Sequence, residues 1–202
     1  MSATPPAKTR PGSVTFAVWL QILLALLLVV QAVAGLLYGA DAQSAAEAEL
    51  AAQGYAVSDL PEGTTFEGGG LNAIGPFVFA ALILVLAFLN GAGNRVGRIL
   101  TWIVQPLVLI CGGFLAATQF FAVSFMEAGL EATGDAEGLD VQALFDAVTG
   151  AYPAWTTWVG YATFALAILG SLLVIILLAV PSANAYFRKE EPEVFIPGAP
   201  SA

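Results

Sequence analysis

Residues 14–38 read VTFAVWLQILLALLLVVQAVAGLLY and contain no charged side chain. A helix of this length, at about 1.5 Å per residue, crosses the hydrocarbon core of a bilayer, which is about 30 Å thick. Three further uncharged, apolar segments follow at about residues 73–89, 99–125 and 155–180. The chain is therefore predicted to be an all-α polytopic membrane protein, a bundle of four transmembrane helices.

The first apolar segment also resembles a secretory signal peptide in part. Lys8 and Arg10 precede it, and Ala40-Asp41-Ala42 follows it as a small-x-small sequence of the kind that signal peptidases cleave. However, the apolar run is about 25 residues long, whereas that of a signal peptide is about 7–15. The first helix is therefore expected to stay in the mature protein as a transmembrane span.

The distribution of charge predicts the orientation in the membrane. Twelve of the fifteen acidic residues lie in two connections, residues 39–72 and 126–153, which contain no Lys or Arg. Basic residues are enriched in the cytoplasmic loops of membrane proteins, and here the six of them lie in the two terminal segments and the connection 90–98. These are Lys8, Arg10, Arg95, Arg98, Arg188 and Lys189. Both termini are therefore predicted to be cytoplasmic, and the two acidic loops extracytoplasmic.

The same pattern divides the chain into three parts. Residues 14–180 form the transmembrane domain with its loops. Residues 1–13 and 181–202 are rich in Pro and polar residues, without periodicity, and are predicted to be disordered cytoplasmic ends. No basic surface is present that could bind nucleic acid. The expected partners are the lipid bilayer and either other membrane protein subunits or further copies of the chain.

The acidic loops are expected to contain short helices. Residues 41–53 are rich in Ala and Glu, which favour a helix that continues the first span. Asp140 is placed to cap a helix with Val141 and Leu144 on one face. Acidic residues around Gly138 resemble a calcium-binding loop, but Thr133 and Leu144 occupy its first and last ligand positions, so an EF-hand is rejected. A solvated acidic surface and weak binding of divalent cations both remain open.

Small and polar residues recur at helical spacing within the spans, most clearly in spans three and four. Small residues allow helix backbones to approach closely, and Gln, Thr and Ser can hydrogen-bond across the contact. The pattern predicts the inner faces of the bundle; a polar transport path, with Pro106 kinking the third span, is the alternative. The helix-packing candidates are Gln21, Gly35, Gln105, Pro106, Gly112, Ala116, Gln119, Gly160, Thr163 and Ser171.

Little in the sequence points to catalysis. There is no histidine, and none of the GxSxG, HExxH, CxxC or phosphate-loop motifs occurs. The single cysteine, Cys111, lies within the third span, where a thiol is difficult to ionise. The chain is therefore not expected to be an enzyme, and neither a cofactor nor a metal site is predicted.

The chain resembles the small four-span membrane proteins of unknown function that are common in actinobacteria. The resemblance rests on topology and composition, and on an opening such as TRPGSVTFAVWL at residues 9–20. It implies a bacterial plasma membrane protein and assigns no functional residue. The expected function is that of a structural, accessory or interaction subunit of a membrane complex. A small oligomeric transporter or ion-handling protein is the alternative, and a membrane enzyme ranks last.

Overall fold

The first apolar segment belongs to a much longer helix, α1, which runs from Gly12 to Ala52. The computed structural model describes residues 9–67, 71–134, 136 and 138–188, with the backbone alone for 71–73 and 115–120. The 41 residues of α1 extend over about 62 Å, at about 1.5 Å per residue. That length is about twice the hydrocarbon thickness of a bilayer, so α1 continues as a helix well beyond the membrane.

The end of α1 is defined by hydrogen bonds that close its last turn. The N–H of Gly54 donates to the carbonyl of Ala51 at 3.1 Å, and the N–H of Tyr55 donates to the carbonyl of Leu50 at 2.8 Å. Gly54 has a φ of +86°, which a residue without a side chain adopts at little cost. This pairing is the Schellman motif, and it turns the chain sharply away from the helix axis.

Seven more α-helices follow α1 in the described part of the chain. A 3₁₀ turn at Val57–Asp59 precedes α2, and a π-helical turn at Leu166–Gly170 joins α6 to α7. The α-helices are α2 (Leu71–Gly91), α3 (Arg95–Phe120), α4 (Ala122–Thr133), α5 (Val141–Gly150), α6 (Trp155–Ala165), α7 (Ser171–Ala179) and α8 (Pro181–Phe187).

Within the described residues, four helical stretches are long and apolar enough to cross a membrane. They are Gly12–Ala52, Ile74–Gly91, Arg95–Phe114 and Trp155–Ala179. The last combines α6, the π-helical turn and α7. No strand occurs in the same residues, so the predicted all-α architecture with four apolar spans is confirmed. Helix α1 packs against α2 and α7, and α3 packs against the same two helices.

Large apolar side chains cover the outside of these spans. Trp19 is 62% exposed, Phe88 77% and Ile110 67%. A soluble monomer rarely exposes a continuous apolar surface of this extent. Surrounding lipid accounts for it, because hydrocarbon solvates such side chains while the helices satisfy their own backbone hydrogen bonds.

Beyond the spans, the acidic connections fold against the second half of α1. We call this region the acidic cap: residues 41–67 together with α4, α5 and the residues that join them. Its buried centre is Ala46, Leu50, Leu60, Leu130, Val141 and Leu144. Asp140 caps α5 as predicted, accepting a hydrogen bond from the N–H of Ala143 at 2.9 Å. The cap thus has an apolar core of its own.

The opposite end of the bundle carries the four described basic residues, Arg10, Arg95, Arg98 and Arg188, and we call it the basic end. Here the expectation of disorder is corrected for residues 181–187, because Pro181–Phe187 form α8; residues 189–202 of the predicted disordered segment lie outside the described part of the chain. Pro181 occupies the first helical position, where its missing N–H costs nothing. Phe187 is only 3% exposed, and the hydroxyl of Tyr186 donates to the carbonyl of Gly91 at 2.7 Å. These contacts hold α8 against the bundle.

Candidate functional site

A group of uncharged polar side chains is completely buried between the spans, towards the basic end. Asn90 ends the apolar part of α2, and its Nδ2 donates to Gln21 Oε1 on α1 at 3.2 Å. The same nitrogen donates to Thr101 Oγ1 on α3 at 2.8 Å. Each of these three residues is 0% exposed. A single amide therefore links three helices.

A second buried pair lies one helical turn further along α3. Gln105 follows Thr101 by four residues, so the two side chains lie on the same face of the helix. Gln105 Nε2 donates to Ser171 Oγ on α7 at 2.9 Å. Gln105 is 1% exposed and Ser171 is 0% exposed. With this pair every span contributes one side chain or more, and we call the set Gln21, Asn90, Thr101, Gln105 and Ser171 the amide layer.

Several atoms of the amide layer are buried without a hydrogen-bond partner. They are Gln21 Nε2, Asn90 Oδ1 and Gln105 Oε1. Exchanging the oxygen and nitrogen of both the Gln21 and Asn90 amides would keep their mutual bond, yet one nitrogen and one oxygen would still be unpaired. The missing hydrogen bonds therefore follow from how these side chains are placed, and not from the orientation chosen for one amide. Unpaired buried polar groups of this kind are rare in proteins.

The sequence predicted Gln21, Gln105 and Ser171 as inward-facing but not Asn90. Asn90 belongs to the connection predicted at residues 90–98, whereas in the structure it lies in α2, which continues to Gly91. The signal that could have identified it is its position directly after an uncharged apolar segment, where one more helical residue places it opposite Gln21.

The small residues of the predicted stripes lie at several different contacts. A Cβ built on Gly112 would lie 2.8 Å from the Cβ of Ala167, so α3 and the π-helical turn approach closely there. A Cβ on Gly160 would lie 3.7 Å from Gln31 Nε2 on α1, an ordinary contact. Gly35 is half-buried on α1. Thr163 is 7% exposed, and its hydroxyl donates within its own helix to the carbonyl of Val159 at 2.8 Å.

The remaining predicted helix-packing positions are Pro106, Ala116 and Gln119. Pro106 lies inside α3, which continues on both sides of it; the kink stays a prediction. The side chains of Ala116 and Gln119 lie outside the described residues. Cys111 is exposed on the outside of the bundle, which faces lipid in a membrane.

The acidic cap is held together by a reciprocal contact between its two halves. Gln53, at the end of α1, donates from Nε2 to the carbonyl of Asp140 at 3.2 Å, and its Oε1 accepts from the N–H of Asp140 at 2.7 Å. The rings of Tyr38 and Tyr152 meet edge to face below the cap, with centroids 6.2 Å apart. Burial raises the pKa of the Tyr152 hydroxyl above its usual value.

Four carboxylates of the cap are exposed and have no basic partner from their own loops. Glu47, Glu127, Glu131 and Asp146 are all exposed, and residues 39–72 and 126–153 contain no Lys or Arg. In the described part of the chain, no group of three or more His, Cys, Asp or Glu side chains is arranged to hold a metal ion. The cap therefore offers an extended negative surface.

No known protein family, curated protein or solved structure matches the chain.

Proposed function

We propose that this protein is a structural or accessory subunit of a membrane complex, and that its acidic cap docks a partner protein. The four spans anchor the subunit in a bacterial plasma membrane, as the actinobacterial resemblance implies. The basic end faces the cytoplasm and the cap faces outward, in agreement with the positive-inside distribution.

The observation that carries this proposal is the fold of the cap. A loop that only linked two spans would need no apolar core, because its backbone could be solvated by water. Here six buried apolar residues from α1, α4, α5 and the intervening segment pack together. The two bonds between Gln53 and Asp140 then hold the halves in register. Such a defined shape supports specific docking.

The charge of the cap indicates the chemistry of the partner. Exposed like charges, such as those of Glu127 and Glu131 one turn apart on α4, repel one another, and a basic partner surface relieves that repulsion and speeds association. A partner with a patch of Lys and Arg on its extracytoplasmic side is therefore the best fit.

The experiment is purification from native membranes in a mild detergent, followed by identification of the proteins that copurify. The test variant is Glu127→Gln/Glu131→Gln/Asp146→Asn, which removes three negative charges from the cap. The matched control is Glu190→Gln/Glu191→Gln/Glu193→Gln, which removes three negative charges from the carboxyl-terminal segment. We expect a discrete partner with wild type and the control, and a loss of that partner with the cap variant. Recovery of the chain alone would contradict the proposal.

The unpaired atoms of the amide layer support a second candidate, a small oligomeric transporter of ions or polar solutes. Buried amide groups with unused hydrogen-bonding capacity can replace some of the water molecules that hydrate an ion. The experiment is reconstitution of the purified protein in liposomes, with measurement of Na⁺ and K⁺ flux for wild type and Gln105→Leu. Transport requires flux above that of empty liposomes and a change in the variant; flux equal to that of empty liposomes excludes this candidate for both ions.

A further inference from the structure

A groove at the basic end runs between α1 and α2, with a cavity volume of about 500 Å³. Its wall is apolar and includes Val18 and Ile22 from α1 and Leu84 and Phe88 from α2. These residues lie within the membrane-spanning parts of the two helices. A groove of this composition at this depth suits a hydrocarbon chain.

Arg10 lines this groove at the end of α2. Its Nε donates to Thr15 Oγ1 at 3.1 Å, which orients the side chain. A Cβ built on Gly91 would lie 3.0 Å from Arg10 Nη1, so the guanidinium passes directly over the end of α2. The bond to Thr15 uses one of the five N–H groups of the guanidinium. The groove is thus apolar inside and positively charged at its rim.

A second cavity, of about 590 Å³, lies beside the first and shares Ala92 with it. Two of its lining residues are Arg95 and Arg188, and Asn94 adds an amide. No carboxylate is among the described residues that line either cavity. Arginines therefore line both cavities, Arg10 the apolar groove and Arg95 and Arg188 the neighbouring open pocket.

The wall of the second cavity is held by contacts between α8 and the rest of the bundle. Tyr186 holds α8 beside the end of α2 through its bond to the carbonyl of Gly91. Arg98 lies 4.4 Å from the ring centroid of Trp102 and 5.2 Å from that of Phe187, and it also bonds Asn184. Arg98 therefore attaches α8 to α3. Arg95 and Arg188 are among the residues that line the pocket.

We propose that the two cavities form one binding site for an anionic glycerophospholipid. An acyl chain occupies the groove between α1 and α2, and the phosphate lies at the junction near Ala92, within reach of guanidinium groups. Guanidinium groups bind phosphate through paired, charge-assisted hydrogen bonds, and basic pockets between transmembrane helices suit anionic headgroups. The site is at the opposite end of the molecule from the acidic cap and does not depend on the partner of the cap.

The experiment measures lipid binding to the purified full-length protein in detergent, by native mass spectrometry and by thermal stability. Phosphatidylglycerol and phosphatidylcholine with identical acyl chains form the first comparison, and we expect tighter binding and a larger rise in Tm with phosphatidylglycerol. Inorganic phosphate and glycerol 3-phosphate form the second, and we expect them to produce little effect because they lack the acyl chain.

Two variants locate the site. Arg95→Gln and Arg188→Gln alter exposed side chains, and each is expected to weaken phosphatidylglycerol binding about fivefold, the effect of one basic residue at an anionic membrane surface. Ala132→Glu changes the net charge equally, but on the exposed surface of the cap, and is expected to leave binding unchanged. Leu84→Trp, which fills the groove, is expected to weaken binding of both lipids.

Three results would overturn the proposal. They are equal binding of the two lipids, loss of binding in Ala132→Glu to the same degree as in the arginine variants, and full stabilisation by inorganic phosphate alone. The first two results would show a surface that binds lipids without selectivity. The third result would show a phosphate site that needs no lipid. Because none of these measurements involves a protein partner, they remain separate from the test of the docking function.

Discussion

Gly112 on α3 and Ala167 in the π-helical turn approach so closely that a Cβ on Gly112 would lie 2.8 Å from the Cβ of Ala167. Its chain neighbour Gly113 has no heavy atom within 4 Å of the same position. The two adjacent glycines therefore differ in the space available for one added methyl group.

Gly112→Ala is expected to lower stability by about 1–3 kcal/mol, because the added methyl forces the two helices apart. Gly113→Ala is expected to be neutral or stabilising, since alanine favours a helix over glycine by about 0.5–1 kcal/mol. Thermal unfolding in one detergent measures both. Equal Tm values for the two variants would show that this close contact does not exist.

The amide layer predicts a non-additive pair of substitutions. Asn90→Leu removes the bonds to Gln21 and Thr101 and leaves a buried amide without a partner, at a cost of about 1–3 kcal/mol. Replacing Gln21 by Leu as well removes that stranded amide, so the double variant is expected to be no less stable than Asn90→Leu alone. The four-variant cycle of unfolding free energies measures the coupling, and simple additivity would contradict the bonded pair.

The contact between Gln53 and Asp140 predicts how the cap opens. Gln53→Ala loses two hydrogen bonds that join α1 to the start of α5, and we expect a loss of about 1–2 kcal/mol confined to the cap. Gln142→Ala is the control, because Gln142 bonds only Asp146 on its own exposed helix face. Hydrogen exchange of the α5 amides should accelerate in Gln53→Ala and not in the control. Unchanged exchange in both variants would mean that other contacts hold α5.

The orientation of the chain is tested by accessibility to a membrane-impermeant thiol reagent, in a Cys111→Ala background. Ser44→Cys and Ala132→Cys in the cap are expected to react in intact cells, because both positions are exposed. Ala92→Cys, exposed at the basic end, is expected to react only after the cells are opened. Reaction of Ala92→Cys in intact cells would reverse the proposed topology.

The features that could be predicted from the sequence are those determined by local composition. Uncharged apolar runs identify the spans, because hydrocarbon excludes charge, and Asp140 was recognisable as a helix cap because its neighbours have helical periodicity. The burial of Gln21, Gln105 and Ser171 also agrees with the spacing of small and polar residues.

Other features depend on contacts between distant segments. The burial of Asn90 requires Gln21 on another helix, and α8 is held by Gly91, almost a hundred residues earlier. The π-helical turn at Leu166–Gly170 lies where Ala167 meets Gly112. Each of these is stabilised by a partner far away in sequence, and neither propensity nor periodicity contains that information.

The continuity of α1 has a mechanical consequence. Because one unbroken helix of about 62 Å forms both a membrane span and the spine of the cap, no hinge separates the two. A change of about 10° in the tilt of that helix moves its far end by about 10 Å, by simple geometry on the helix rise. A rearrangement at the basic end that tilts α1, such as the repacking of α2 against it, then moves the cap as well, because α1 rotates as one rigid body.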